Sequence, residues 1–299
     1  MNNKSKKKRK LRSRRALWGY VFLLPWFVMF CVFYAYPLFY GIFVSFTDYS
    51  LKSMNFIGLA NYRTMFGDYA FWRSLVGMLA YCAIVIPLRT FIPLLIANAL
   101  KPHGRTVNTL TKLFIYLPSV TCATALVITW KYMFAPGTGM ASTIIRNLGY
   151  GDVSLLDKAT YSIPILSLLI VMSNIGANVI IYCSALDAVP ETYYEAADID
   201  GASERNKLYR ITIPLIRPTI VYVMVTSTIA SLQIFVIPQL MTGGGPNFTS
   251  SSLLMLIYNS AFIQFRFGYA SAIGVILFLI TAVFALVQFR ITQRDTIEY

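Results

Sequence analysis

Charged residues are scarce in this 299-residue chain, in which 13% of the positions carry a charged side chain and 57% are hydrophobic. Soluble domains carry a charge at about 25% of their positions. A soluble protein of this length also needs far more polar surface to cover its core. The shortage of charge therefore excludes a large soluble helical domain and predicts an integral membrane protein.

Residues that ligate metals or form disulfides are few as well. His103 is the single histidine, and the cysteines, which lie apart in apolar segments, are Cys31, Cys82, Cys122 and Cys183. Without a CxxC pair or a Cys/His cluster, a disulfide framework is excluded and no metal site is predicted. The thiols are expected to be buried and reduced. A membrane enzyme is disfavoured because clustered intramembrane carboxylates are missing too.

No GxxxxGK[ST] run occurs in the chain. Such a run holds nucleotide phosphates on backbone N–H groups at a helix N-terminus. The chain is therefore not expected to hydrolyse ATP or to bind a cofactor of its own. ATP and magnesium are expected on separate partner subunits.

Long apolar runs are what the sequence has in abundance. A membrane-spanning helix needs roughly 20 residues, and six runs meet this length, near 17–46, 73–100, 113–134, 161–186, 213–240 and 269–289. Helices are predicted because they satisfy their own backbone polar groups in lipid and because the runs lack strand alternation. The predicted fold class is an all-α integral membrane protein with six transmembrane helices in 17–290, between tails at 1–16 and 291–299.

Basic residues are distributed unevenly among the connecting segments. The stretch KSKKKRKLRSRR holds nine Lys and Arg between Lys4 and Arg15. Directly before an apolar run, it predicts a cytoplasmic flank beside anionic lipid, and it disfavours nucleic-acid binding and a cleaved signal peptide. With the N-terminus inside, 18 of the 26 Lys and Arg lie on the inner side. An N-in/C-in orientation is therefore predicted.

Half of the twelve acidic residues crowd into the segment between the fourth and fifth spans; they are Asp187, Glu191, Glu195, Asp198, Asp200 and Glu204. Pro190–Glu191 suits a helix start, Gly201 a left-handed turn that ends this helix, and Ser203 the cap of a second helix. The pattern predicts a helix–turn–helix that faces a basic partner. The alternative is a solvated loop whose acids balance neighbouring basic residues.

This acidic segment resembles a motif of a known membrane family. Glu195–Ala197, Gly201 and Ile211–Pro214 have the spacing of the EAA loop of permeases from bacterial binding-protein-dependent ABC importers. The one departure is Ile213, where the family usually has leucine.

The likeness extends over nearly the whole chain from Trp18 onward. FIGLANYRTMF at 56–66, FIYLPSVTCATALVITWKYMF at 114–134 and LMTGGGPNFTSSSLLMLIYNSAF at 240–262 are similar to segments of carbohydrate-type permeases. They most resemble the maltose-type first permease subunit, which pairs with a different, second permease.

The resemblance implies a type I ABC importer permease fold in the bacterial cytoplasmic membrane, and import of a sugar or oligosaccharide that an extracytoplasmic binding protein delivers. It also implies that residues 187–212 form a cytoplasmic coupling loop that docks on an ATPase. The implied docking residues are Glu195, Ala196, Ala197, Asp198 and Gly201. The implied partners are a second homologous permease subunit, two ATPase subunits, the binding protein and membrane lipid.

Polar residues within the spans are candidates for the substrate path, because neutral amides and hydroxyls bind sugar hydroxyls without burying a charge. They are Asn174, Asn178, Ser227, Ser231 and Gln233. Interhelical hydrogen bonding is the alternative role of each. Arg89 in the second span is a further candidate, which would attract an anionic solute such as a glycerol phosphate or a uronate, snorkel to the interface, or pair with a partner subunit.

The run TGGGPN at 242–247 follows the fifth span and is termed the glycine loop. The resemblance implies that it faces the binding protein through Gly243, Gly244, Gly245 and Pro246, whereas a flexible turn is the alternative. A secondary transporter is disfavoured, because the middles of the spans contain no Asp or Glu for a proton relay and six spans leave little room for two large repeats.

Overall fold

The computed structural model describes residues 20–51, 53–100, 105–150, 155–156 and 159–293. The predicted basic tail at 1–16 lies outside these residues, as does 294–299 of the predicted C-terminal tail. Within the described residues the chain is helical apart from its connections. The extended pairing found there is a single antiparallel bridge between Thr47 and Phe56.

The helices are numbered here in chain order. They are α1 (Tyr20–Val44), α2 (Ala60–Gly67), α3 (Tyr69–Leu100), α4 (Arg105–Val120), α5 (Ala123–Met133), α6 (Met140–Ile145), α7 (Ala159–Asp187), α8 (Thr192–Ile199), α9 (Glu204–Lys207), α10 (Arg217–Leu232), α11 (Val236–Met241), α12 (Leu253–Tyr258) and α13 (Phe267–Gln293). Single π-helical turns lie inside α1 at Cys31–Ala35 and follow α6, α9 and α12 at Arg146–Tyr150, Leu208–Thr212 and Asn259–Ile263.

Five stretches of the described residues are long and apolar enough to cross a membrane: Tyr20–Val44, Tyr69–Leu100, Thr160–Asp187, Arg217–Met241 and Phe267–Arg290. The pair Asn108–Val120 and Ala123–Met133 makes a sixth if it is counted as one span. These stretches confirm the predicted all-α membrane class. The N-in/C-in orientation stays a prediction, because no membrane is present.

The third predicted span, 113–134, is not one continuous helix. Its two halves meet at an angle of 92°. Pro118 lies in the last turn of α4, and Cys122 has an extended ψ of 123° just before α5 begins. Proline cannot donate the helical hydrogen bond and its ring clashes with the preceding turn, so Pro118 weakens the last turn of α4 beside the break.

The connection between the fifth and sixth spans contains a helix that sequence patterns did not predict. The apolar stretch Leu253–Ile263 forms α12 and its π-helical turn. It is too short to cross the hydrocarbon layer, which takes about 20 residues, and this is why the search for spans passed over it. The predicted fifth span, 213–240, is also interrupted, because α10 ends at Leu232 and α11 begins at Val236.

The central helix of the bundle is α3. It packs along α7 and α10, and it also contacts α12 and α2. Three clusters of buried hydrophobic side chains surround it, and each contains α3 residues, for example Met78, Tyr81 and Leu94. The half of the bundle beside the glycine loop and the half beside the coupling loop are therefore packed on the same helix.

The FIGLANY segment fastens α1 to the rest of the bundle. Asn61 of α2 donates from Nδ2 to the carbonyl oxygens of Ser45 at 2.9 Å and Thr47 at 2.7 Å. The hydroxyls of Tyr62 and Ser45 are 2.7 Å apart. Gly268 lies against the Thr47 carbonyl so closely that a Cβ atom would collide with it. The end of α1 is thus held by both α2 and α13.

We expect Asn61→Ala to lower the midpoint of thermal unfolding of the purified protein in detergent. Two buried carbonyls lose their donor, and an unsatisfied buried polar group costs about 1–3 kcal/mol. Thr64→Ala on the same helix is the control, since Thr64 is exposed and bonds the carbonyl of Ala60 within its own helix. Equal midpoints for the two variants would contradict the role given to Asn61.

Candidate functional site

The coupling loop folds as two short helices joined by a tight turn, as predicted. Its first helix, α8, begins at Thr192, directly after the predicted Pro190–Glu191 start. The second, α9, begins at Glu204, and its cap is Ser203, whose Oγ accepts from the Asn206 amide at 3.4 Å. Capping residues act locally, and this is why the sequence revealed both helix starts.

Gly201 ends α8 in the left-handed conformation, with φ at +71°. Its amide donates to the carbonyl of Asp198 at 3.1 Å, and the Ala202 amide donates to the carbonyl of Ala197 at 2.9 Å. This pair of bonds is the Schellman pattern of helix termination. A Cβ atom at this position would meet no neighbouring atom within 4 Å. The backbone angle, rather than lack of space, is what favours glycine here.

The α8 helix exposes most of the docking residues that the family motif implies. Glu195, Ala196 and Asp198 are exposed, whereas Ala197 is turned inward and buried. The exposed face therefore carries two carboxylates one helical turn apart, with a small side chain between them. Such a face can meet a basic surface closely.

Lys207 ties α9 back to α8 through a buried ammonium group, and this is the kind of charge balance that the alternative for the acidic segment predicted. Its Nζ donates to Glu204 Oε1 at 2.6 Å and forms an ion pair with Asp198. The hydroxyls of Tyr194 and Thr212 make a second link, at 2.9 Å. The signal available in the sequence was the position of Lys207, three residues after Glu204. The contact between Lys207 and Asp198 is present only in the folded loop.

Electrostatics keep this link charged at physiological pH. Hydrogen bonds from Lys207 to Asp198 and then to Glu204 raise its pKa above the ordinary value of 10.5. Because the pKa of Lys207 is higher in the folded state, its full contribution to stability is present at pH values below the unfolded-state pKa. This contribution is lost as the pH rises through the folded-state pKa. The contribution of the charged Lys207 ammonium is therefore retained at neutral pH and is lost only as the pH rises through its raised pKa.

A cavity of about 650 Å³ separates the coupling loop from the ends of α3 and α7. Polar and charged side chains line it, among them Asn98, Asp187, Glu191, Tyr194, Lys207 and Thr212. The loop thus stands off from the ends of α3 and α7 at this cavity, and its own cross-links hold its two helices together.

The substrate-path candidates on α7 have different surroundings. Asn178 is buried, and its Nδ2 donates to the carbonyl of Arg89 on α3 at 3.0 Å. Asn174 is exposed, with its amide 3.4 Å from the carbonyl of Ile170 in its own helix. Arg89 itself has a buried Nε without a hydrogen-bond partner. Asn178 therefore makes the interhelical bond that was the alternative to a substrate contact.

The candidates on the fifth span also separate. Ser227 and Ser231 are both buried, and the Ser231 hydroxyl donates to the carbonyl of Ser227 at 2.7 Å. The Oγ of Ser227 is buried without a partner. Gln233 is exposed at the break between α10 and α11. The structure thus bonds Asn178 of α7 to Arg89 of α3, and Ser231 to Ser227 within α10. The two pairs share no helix.

The glycine loop has the unusual backbone angles that its sequence predicts. Gly243 and Gly244 have φ values of +59° and +87°. The loop is also anchored, because Ser250 Oγ donates to the carbonyl of Gly245 at 2.6 Å and the Tyr81 hydroxyl donates to the carbonyl of Ser250 at 2.9 Å. This bonding argues against the alternative of a flexible turn.

The serine run at 250–252, which the sequence reading did not single out, completes this anchor. The hydroxyls of Ser74 and Ser251 are 3.0 Å apart, and Ser252 Oγ donates to the carbonyl of Ile234 at 2.5 Å. Three consecutive serines in such an apolar chain were the signal that was available. They join the glycine loop to α3 and to the break after α10.

Comparison with known proteins identifies relatives over almost the whole chain. Residues 71–295 match the family described as binding-protein-dependent transport system inner membrane component. The multiple sugar-binding transport system permease protein MsmF of Streptococcus mutans is 28% identical over 281 residues, which cover 93% of this chain and 96% of MsmF. The sulfoquinovosyl glycerol transport system permease protein SmoG of Agrobacterium fabrum is 28% identical over 277 residues, covering 91% of this chain and 89% of SmoG.

A solved structure has the same fold. It is the crystal structure of a bacterial alginate ABC transporter in complex with an alginate pentasaccharide-bound periplasmic protein. One of its chains matches with a TM-score of 0.84 and 23% identity, over 95% of this chain and 96% of that chain. The match confirms the predicted ABC importer permease fold.

We expect Lys207→Met to speed amide hydrogen exchange in α8 by a few-fold, because a partly screened ion pair that links α8 to α9 is lost. Exchange at residues 193–198, measured by mass spectrometry, checks this. Arg205→Met is the control, since it removes a positive charge from an exposed position on α9, the helix that also contains Lys207. If the amides of residues 193–198 exchange equally fast in both variants, the loss of positive charge, and not the loss of the Lys207 link, explains the change in α8.

Proposed function

This chain belongs to the family of binding-protein-dependent transport system inner membrane components, and from that premise we propose that it imports a sugar or oligosaccharide as one permease subunit of an ATP-driven transporter. It is a multi-pass protein of the inner membrane. The proposed solute is a carbohydrate, since the named relatives handle multiple sugars and sulfoquinovosyl glycerol, and the structural neighbour is an alginate transporter.

The observation that carries the proposal is the geometry of the coupling loop. Glu195 and Asp198 are exposed on α8, Gly201 ends this helix, and Lys207 links α8 to α9. We propose that a cytoplasmic ATPase docks on this face. Because α9 continues through a π-helical turn and Ile213–Leu215 toward α10, movement of the docked partner reaches the fifth span as a movement of packed helices.

The remaining partners follow from the same scheme. A second homologous permease completes the pathway, two ATPase subunits bind ATP and magnesium, and a binding protein delivers the solute at the glycine loop. This chain performs no covalent chemistry and holds no cofactor of its own. Membrane lipid covers the outer helix faces, and nucleic acid is not a partner. The glycine loop and the coupling loop lie at opposite ends of the span Arg217–Met241, as alternating access requires.

A second candidate function is import of an anionic solute, and Arg89 is the residue that favours it. An intramembrane arginine whose Nε is buried without a partner is costly unless it serves a ligand or a partner subunit. This candidate predicts ATP-dependent uptake of labelled glycerol 3-phosphate or a uronate that Arg89→Gln abolishes and Arg89→Lys retains. Neutral-sugar uptake that survives Arg89→Gln in proteoliposomes would favour the first candidate instead.

The docking proposal is tested by pull-down from gently solubilised native membranes. We expect Glu195→Lys to lose the co-purifying ATPase while the second permease is retained, because the exposed α8 face changes its charge. Asp187→Lys is the matched control, since Asp187 is exposed on the coupling loop but lies outside α8. The control is expected to keep the ATPase.

Substitution of Gly201 separates backbone geometry from charge in the same pull-down. Gly201→Val forces a branched side chain into a left-handed position, which costs roughly 1–2 kcal/mol or more, whereas asparagine tolerates that conformation. Loss of the ATPase with valine and its retention with asparagine is the expected pair of results. If no ATPase accompanies even the wild-type chain, the importer proposal fails and secondary transport has to be measured directly.

A further inference from the structure

A second cavity, of about 420 Å³, lies beside the glycine loop and therefore at the opposite end of the fifth span from the coupling loop. Its walls come from the junction of α2 and α3, from α11, from α12 with its π-helical turn, and from the start of α13. The polar side chains that line it are Asp68, Gln239, Asn259, Ser260, Gln264 and Arg266. None of these side chains belongs to the substrate-path candidates predicted from the sequence.

Three oxygen atoms in this lining are buried without a hydrogen-bond partner. They are Gln239 Oε1 on α11 and Asn259 Oδ1 and Ser260 Oγ on the turn after α12. Ser260 is only 1% exposed, so its hydroxyl is shielded from bulk solvent. Buried polar atoms are almost always paired in folded proteins. Three unpaired acceptors on one cavity indicate a ligand that brings hydroxyl donors.

The charges around the cavity favour a neutral ligand. The carboxylate of Asp68 accepts from the Tyr269 hydroxyl at 2.6 Å, and the Arg266 guanidinium lies over the same ring, 4.4 Å from its centroid. One tyrosine therefore contacts one acid at its hydroxyl and one base over its ring, and the formal charges of the two groups balance. A site for an anion would instead present an excess of positive charge.

The rim of the cavity adds an aromatic surface on a constrained backbone. Phe248 is exposed at the cavity and has φ at +59°, and Phe265, next to Arg266, has φ at +56°. Bulky residues adopt positive φ only where the surrounding structure holds them there. The two phenylalanines are thus fixed, and Phe248 offers an apolar face beside the unpaired acceptors. Small-molecule sites combine these two features.

We propose that this cavity is a loading site for neutral carbohydrate. Hydroxyl groups of the sugar donate to Gln239 Oε1, Asn259 Oδ1 and Ser260 Oγ when the sugar leaves the binding protein, before it moves between the spans. The inference rests on the proposed sugar import and names the residues that would first receive the solute. The ligand class proposed is the neutral sugar, whose hydroxyl groups match the three acceptors.

Binding of lactose to the whole transporter in nanodiscs tests the proposal without the binding protein. Saturation-transfer NMR reports contact between lactose protons and the protein. We expect Asn259→Leu and Gln239→Leu each to reduce the transfer by at least about threefold, which is the effect of losing one neutral hydrogen bond. Ser260→Ala is the mildest variant and keeps the test valid if a leucine disturbs folding. Sodium galacturonate is expected to give a weaker signal than lactose.

Asn147→Leu is the matched control, because it makes the same substitution at an exposed position after α6. Unchanged lactose transfer in all three cavity variants would overturn the loading site. So would loss of binding-protein-stimulated ATP hydrolysis with normal lactose transfer, since the cavity would then seat part of the binding protein.

Failure of the proposed function is recognised separately, in the wild-type transporter. Acceptor-dependent lactose binding without any ATP-driven sugar uptake would overturn sugar import while leaving the cavity as a carbohydrate site. ATP-driven sugar uptake together with equal lactose binding by every variant would overturn the loading site while leaving sugar import supported.

Discussion

The lack of water inside a lipid bilayer requires each backbone N–H and C=O group to find its partner within the protein. The long helices of this chain satisfy that requirement internally, so departures from helix need their own explanation. After α10 ends at Leu232, the freed carbonyl of Ile234 accepts from Ser252 Oγ at 2.5 Å. The serine run that anchors the glycine loop thus also supplies a hydrogen-bond donor at the break in the fifth span. The glycine loop and the break therefore depend on the same residues.

Packing around α3 connects the two ends of the molecule. In lipid, helices associate through close packing and a few polar contacts, because apolar side chains gain little by leaving hydrocarbon for one another. Each of the three buried clusters contains residues of α3. Single polar contacts align its neighbours, such as Asn178 on the Arg89 carbonyl and Tyr81 on the Ser250 carbonyl. Because α3 packs along α10, a displacement of α10 would also change its contacts with α3.

The two ends of the bundle differ in whether their buried polar groups have hydrogen-bond partners. At the coupling loop, Lys207 is fully paired with carboxylates, and the Schellman turn at Gly201 satisfies the last carbonyls of α8. Such an end is suited to transmitting force. At the glycine loop, the cavity keeps oxygen atoms such as that of Ser260 unpaired, which suits an end that receives a hydroxylated solute. One span, Arg217–Met241, joins them.

The amino-acid sequence alone determined the features that act over a few residues: the six apolar runs, the all-α class, the turn at Gly201 and the cap at Ser203. Helix length, glycine φ and capping are local properties, so pattern and spacing reveal them. The 92° bend in the third span was not predicted, although Pro118 lies just before it, because the bend depends on what the two halves pack against. Tertiary structure alone decided that Asn178 is buried while Asn174 is exposed, that Lys207 reaches Asp198, and that Asp68 meets Tyr269. Those outcomes depend on contacts between separate helices, for which a single sequence carries no periodic signal.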